Sequence, residues 1–102
     1  MNTENIIQTV KSRYDYRLNK NLLEEKYKSK LLIVNQGGYW IASQQFISFL
    51  AVKELPKEIN LLDEYKNVVL VDRKTLLTAL IETYTTVMKE WGAELELLKQ
   101  KR

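Results

Sequence analysis

Neither cysteine nor histidine occurs in the 102 residues, and proline occurs once. Without cysteine there is no disulfide, no thiolate metal site and no thiol nucleophile. Without histidine the commonest general base and the commonest metal ligand are missing, and no Ser–His or Cys–His pairing exists. A zinc site would need carboxylates alone. The expectation is a non-enzymatic protein with no cofactor, in which no residue is assigned a catalytic, cofactor-binding or metal-ligating role. No apolar run approaches the roughly 20 residues that cross a bilayer. The opening stretch "MNTENIIQTVKSR" lacks the basic region and apolar core of a signal peptide. An intracellular protein with no membrane contact is expected.

Glycine is scarce as well, with three in the chain, and two are adjacent in "NQGGYWIAS", Asn35 to Ser43. A phosphate cradle needs glycines that lead into a helix N-terminus. Here they lead into a β-prone run, and no lysine or hydroxyl stands at the required offset. The alternative is a hairpin turn, in which glycine supplies positive φ. Strand alternation then sends Tyr39 and Trp40 to opposite faces, one to the core and one to solvent.

What the chain does contain is charge, unevenly placed. The formal net charge is +3. Residues 1–30 carry seven Lys/Arg against four Asp/Glu, residues 31–72 three against five, and residues 73–102 six against four. The excess is too small to imply nucleic-acid binding by itself. Its sharpest concentration is "KSRYDYRLNK", where Arg13, Arg17 and Lys20 share a helical face. These three, with an exposed Tyr39 or Trp40 for base stacking, are the candidate nucleic-acid contacts. The plainer account is the solvated side of an amphipathic helix.

Apolar periodicity sets the architecture. Ile6, Val10, Tyr14 and Leu18 recur every four residues, predicting a helix that ends near Arg17 to Lys20, where "NKN" weakens it. Whether "LLEEKY" continues that helix is left open. Leu31–Val34 and Tyr39–Ala42 form a first hairpin, and Ser43 caps a short helix over "QQFISFLAV". Ile59–Leu62 and Val68–Val71 form a second hairpin around "DEYKN", and Asp72 caps the last helix. The expected fold is α+β in the order α-β-β-α-β-β-α. It is one domain over 1–102: an N-terminal helix within 1–20, two short antiparallel hairpins with a short helix over 31–71, and a long helix over 73–101.

That last helix carries the strongest pattern. Leu77, Ile81, Tyr84, Met88, Trp91, Leu95 and Leu98 are spaced 4, 3, 4, 3, 4, 3, a heptad seam. An N-terminal helix of 18 residues, about 27 Å long, is too short to cover it. These seven residues are therefore the candidate protein interface, with a homodimer as the expected partner. Gly92 interrupts the helix at about 1 kcal/mol relative to alanine. Either a neighbouring backbone approaches beside Trp91 or the helix kinks.

The run "GGYW…SQQFISFL…INLLDEYKNVVLVDRKTLLTALIETYTTVMKEWGAELELLKQKR", from about residue 31 to 102, resembles small uncharacterised proteins of T-even-like tailed bacteriophages, marine ones included. The likeness lies in the Gly-Gly-aromatic turn, "LLDEYKN" leading into "VLVDRKTL", and the "VMKEW" segment of the long helix. Such proteins tend to have proline after the turn asparagine, where this chain has Val68. The resemblance implies an accessory or virion-assembly protein, or a factor acting on the host. It would be made in the host cytoplasm and contact itself or another phage or host protein. It brings no site residues.

Overall fold

The computed structural model describes residues 3–100, and the side chains of residue 13 and residues 15–100. The order is α1 (Thr3–Lys30), β1 (Leu32–Asn35), β2 (Gly38–Ile41), α2 (Gln44–Leu50), β3 (Glu58–Leu62), β4 (Val68–Asp72) and α3 (Arg73–Gln100). The hairpins, α2 and the first half of α3 form a head. The rest of α3 pairs with α1 as an arm. The molecule measures 66 × 23 × 19 Å with a radius of gyration of 19.5 Å. A compact chain of this length would have about 13 Å, so the arm does project.

The glycine stretch is a two-residue hairpin turn. Gln36 has φ 53 and Gly37 has φ 82, so both central residues are left-handed, as the twist of paired strands favours. Asn35 pairs with Gly38, Val34 with Tyr39, Ile33 with Trp40 and Leu32 with Ile41. Trp40 points inward at 2% exposure and its indole N–H donates to the Asn35 carbonyl at 2.9 Å. Its ring lies over Gly38, where an added Cβ would come within 2.5 Å of the ring. The second glycine thus makes room for the tryptophan. Tyr39 points outward at 39% exposure and meets Tyr65 edge-on.

No strand pairing joins the two hairpins; side chains do, with one backbone bond from the Glu64 N–H to the Tyr39 carbonyl at 3.0 Å. The Gln36 amide accepts from the Asp72 backbone N–H at 2.7 Å and donates to its carbonyl at 3.3 Å. Asp63 is buried in the β3–β4 link and accepts from the backbone N–H groups of Tyr65, Asn67 and Tyr39. Lys66, with φ 67, closes that link in the left-handed position. Ser43 caps α2 through its hydroxyl, and Asp72 caps α3 through Thr75. Arg73 reaches back to the carbonyls of Leu50 and Pro56, fixing the loop after α2. The core under this frame is Trp40, Ala42, Leu50, Val71, Leu76 and Leu80.

One element differs from expectation. The N-terminal helix does not stop near Lys20; it runs 28 residues, about 42 Å, through "LLEEKY" to Lys30. Tertiary packing outweighs the weak "NKN" propensity, because Tyr27 is buried against α3 and Glu24 bonds Lys28 one turn on. Of the N-terminal stripe, Ile6, Val10 and Tyr14 lie outside the described side chains.

The Asp63 carboxyl is held below its ordinary 3.8, chiefly by the Asn67 N–H and then by those of Tyr39 and Tyr65, with burial opposing. A depressed folded value stabilises the protein above the ordinary carboxylate range, and that contribution is lost as pH falls through the folded value. Thermal melts from pH 6 to 2 should therefore show a stability loss that begins below about pH 3.8. Asp63→Asn should lower the neutral-pH melting temperature and flatten that acid slope.

Candidate protein-contact site

Helix α3 is built with apolar neighbours in pairs: Leu76–Leu77, Leu80–Ile81 and Val87–Met88. The first member of each pair is buried. One helix therefore offers two adjacent stripes, and the chain covers one of them. The sequence seam lies on the other, and the fold splits it in two.

Leu77, Tyr84, Trp91 and Leu98, seven residues apart, turn toward the chain itself. Leu77 and Tyr84 pack on the core cluster, and the Gln44 amide donates to the Tyr84 hydroxyl at 2.7 Å. Trp91 stacks on Tyr27 at 6.0 Å with planes 8° apart. Leu98 closes a groove of about 430 Å³ with Leu22, Leu23 and Leu97 along one side of the helix pair. Ile81, Met88 and Leu95, also seven apart, form the outward half. Ile81 is 45% and Met88 37% exposed. Leu95 lines a second, smaller groove of about 250 Å³ with Met88, Trp91 and Gly92, edged by Lys20 and Glu24 of α1. The seven-residue candidate interface is thereby narrowed to Ile81, Met88 and Leu95.

The arm is locked at one junction. Lys26 Nζ lies 2.7 Å from Glu94 Oε1, and the Tyr27 hydroxyl donates to the same oxygen. Lys26 and Lys30 lie 5.1 and 4.8 Å from the centre of the Tyr27 ring, and Lys30 also faces Glu90 at 3.8 Å. The Lys26 hydrogen bond, then that of Tyr27, holds the Glu94 carboxyl below its usual range. The same bond raises Lys26, and Tyr27 is raised by Glu94 and then by burial. In the sequence Glu90 and Glu94 read as plain solvated residues. Their role needs the partner helix, and the one visible sign was Lys26 and Lys30 at the matching four-residue spacing.

These contacts make the helices antiparallel, with Lys26 against Glu94 and Lys30 against Glu90. Continued in that register, Lys20 lies opposite Gln100, so the first half of α1 extends past the last described residue of α3. Arg13, Arg17 and Lys20 line one depression there together with Tyr16. Neither aromatic candidate joins them. Trp40 is in the head core with its N–H bonded, and Tyr39 lies on the outer face of the first hairpin. That hairpin face also carries exposed Leu32, Val34 and Ile41, and the second carries Leu62, Val68 and Leu70.

Among the described residues no group of three or more acidic side chains is placed to hold a metal ion, and no helix is long and apolar enough to cross a membrane. Comparison of the chain with protein-family models, curated proteins and solved structures finds no match. The site is therefore read from its own geometry.

Tyr27→Ala removes the ring that α1 inserts against Trp91 and should destabilise the fold by about 3 kcal/mol, as large core truncations do. Amide hydrogen exchange should then accelerate over residues 18–30, while both hairpins stay protected.

Proposed function

We propose that this is a non-enzymatic protein that works by protein–protein contact and associates with itself along the arm. The observation that carries the proposal is the outward half of the seam. Ile81, Met88 and Leu95 recur every seven residues on a helix whose opposite side is already packed. An apolar row at that spacing, with Ile81 and Met88 exposed and Leu95 half-buried in an open groove, suits another helix, and symmetric pairing is the commonest way to cover one. The resemblance drawn from the sequence supports reading it as a phage accessory or assembly protein made in the host cytoplasm. There the partner is a second copy or another phage or host protein.

A second reading is favoured by one observation, the gathering of Arg13, Tyr16, Arg17 and Lys20 around one depression of α1. A small nucleic-acid-binding regulator would use this cleft for phosphates, with Tyr39 as the only candidate stacking residue left exposed.

Light scattering across low to high micromolar concentration should show a dimer, and Met88→Asp should return it to a monomer with unchanged circular dichroism. A wild-type monomer throughout that range would overturn self-association. For the second reading, retardation of DNA or RNA should weaken steeply with added salt and be abolished in Arg13→Ala/Arg17→Ala. No retardation at low salt would remove it.

A further inference from the structure

The described residues of the chain give Gly92 no close neighbour to make room for. Helix α3 is unbroken through it, and an added Cβ would meet no atom within 4 Å. No close approach among the described residues accounts for the helix-propensity penalty that glycine carries. The residue instead forms the floor of the open apolar groove, between Met88 and Leu95.

The surroundings of Gly92 are self-complementary. One turn before it on the same face stand Met88 and Lys89, and one turn after it stand Leu95 and Glu96. A two-fold axis perpendicular to the helix at Gly92 exchanges these positions. It brings Met88 against the second copy's Leu95 and Lys89 against the second copy's Glu96, each contact made twice. Lys89 and Glu96 are exposed, and neither is in an ion pair among the described residues. The apolar pair and the charge pair are both matched by the same axis.

From this we infer that the groove is the crossing point of an antiparallel α3–α3 pair between two copies of this chain, with Gly92 at the closest approach. The absence of a Cβ lets two helix backbones come nearer than ordinary side chains allow, and Met88 of each copy fills the space beside the other's glycine. Lys89 and Glu96 fix direction, because a parallel in-register pair would set Lys89 against Lys89 and Glu96 against Glu96. This inference rests on the self-association proposed above and adds its axis and orientation.

The chain lacks cysteine, so introduced cysteines report position cleanly. Lys89→Cys/Glu96→Cys, whose two positions face each other across the axis but lie about 10 Å apart within one helix, should oxidise to a covalent dimer several-fold faster than Thr78→Cys, which lies on the same face but about 20 Å along the helix from Gly92. Lys89→Glu or Glu96→Lys alone should weaken the dimer by roughly five- to tenfold, and the double variant should restore it, as paired surface charges allow. If the wild type dimerises but Lys89→Cys/Glu96→Cys cross-links no faster than Thr78→Cys, or the charge-reversed double variant fails to restore affinity, the crossing is wrong while self-association stands. A wild type that remains monomeric overturns both. Thr78, Lys89 and Glu96 are exposed, so their replacement leaves the monomer fold intact, and circular dichroism checks this.

Discussion

Because α3 carries two apolar stripes one residue apart, the chain's own elements can cover only one of them. Leu76, Leu80 and Val87 take the core side and draw the hairpins, α2 and α1 around them. Everything packed on that stripe leaves Ile81 and Met88 exposed and Leu95 half-buried in an open groove. A helix amphipathic on one stripe would end in a closed domain. This one ends with an apolar ridge outside.

The head depends on the same economy of contact. Each hairpin has two strands, a size that is marginal alone in water. They are held together by the Gln36 amide on Asp72, by Asp63 on Tyr39 and by one backbone bond from Glu64 to Tyr39, not by a shared ladder. Asp63 is buried, but every contact it makes is to a backbone N–H, so its charge is met without a counter-ion. The arm is fixed differently, with Lys26 and the Tyr27 hydroxyl converging on one oxygen of Glu94 beside the Tyr27–Trp91 stack.

The element order was readable because each element announces itself locally: strand alternation around Gly37, and caps at Ser43 and Asp72. The opposite facing of Tyr39 and Trp40 also follows from alternation alone. Which of them is buried does not, since it depends on Gly38 leaving room for a ring that turns back over its own strand. The length of α1 was hidden for a related reason. Local propensity falls at Asn19–Asn21, and only the burial of Tyr27 against a helix more than 60 residues away keeps the turn. The seam was legible as a heptad but not as two half-seams. Periodicity locates an apolar face without saying which side the rest of the chain will take.

If the arms cross at Gly92, the position of the heads follows from helix geometry. Arg73, where α3 leaves the head, lies about 28 Å from Gly92 along the axis, so the two exits stand about 57 Å apart. An antiparallel pair therefore carries its heads at opposite ends of a rod. Each head presents outward-facing hairpin surfaces with Leu32, Val34, Ile41, Leu62, Val68 and Leu70 exposed. Two identical apolar surfaces at a fixed separation bind a repeating target far more strongly than either alone, provided the repeat matches the span. A parallel pair would place both heads at one end and lose that spacing. In such a pair the direction that Lys89 and Glu96 would set is what would make the rod bivalent, with Gly92 letting the helices come close enough for those charges to meet.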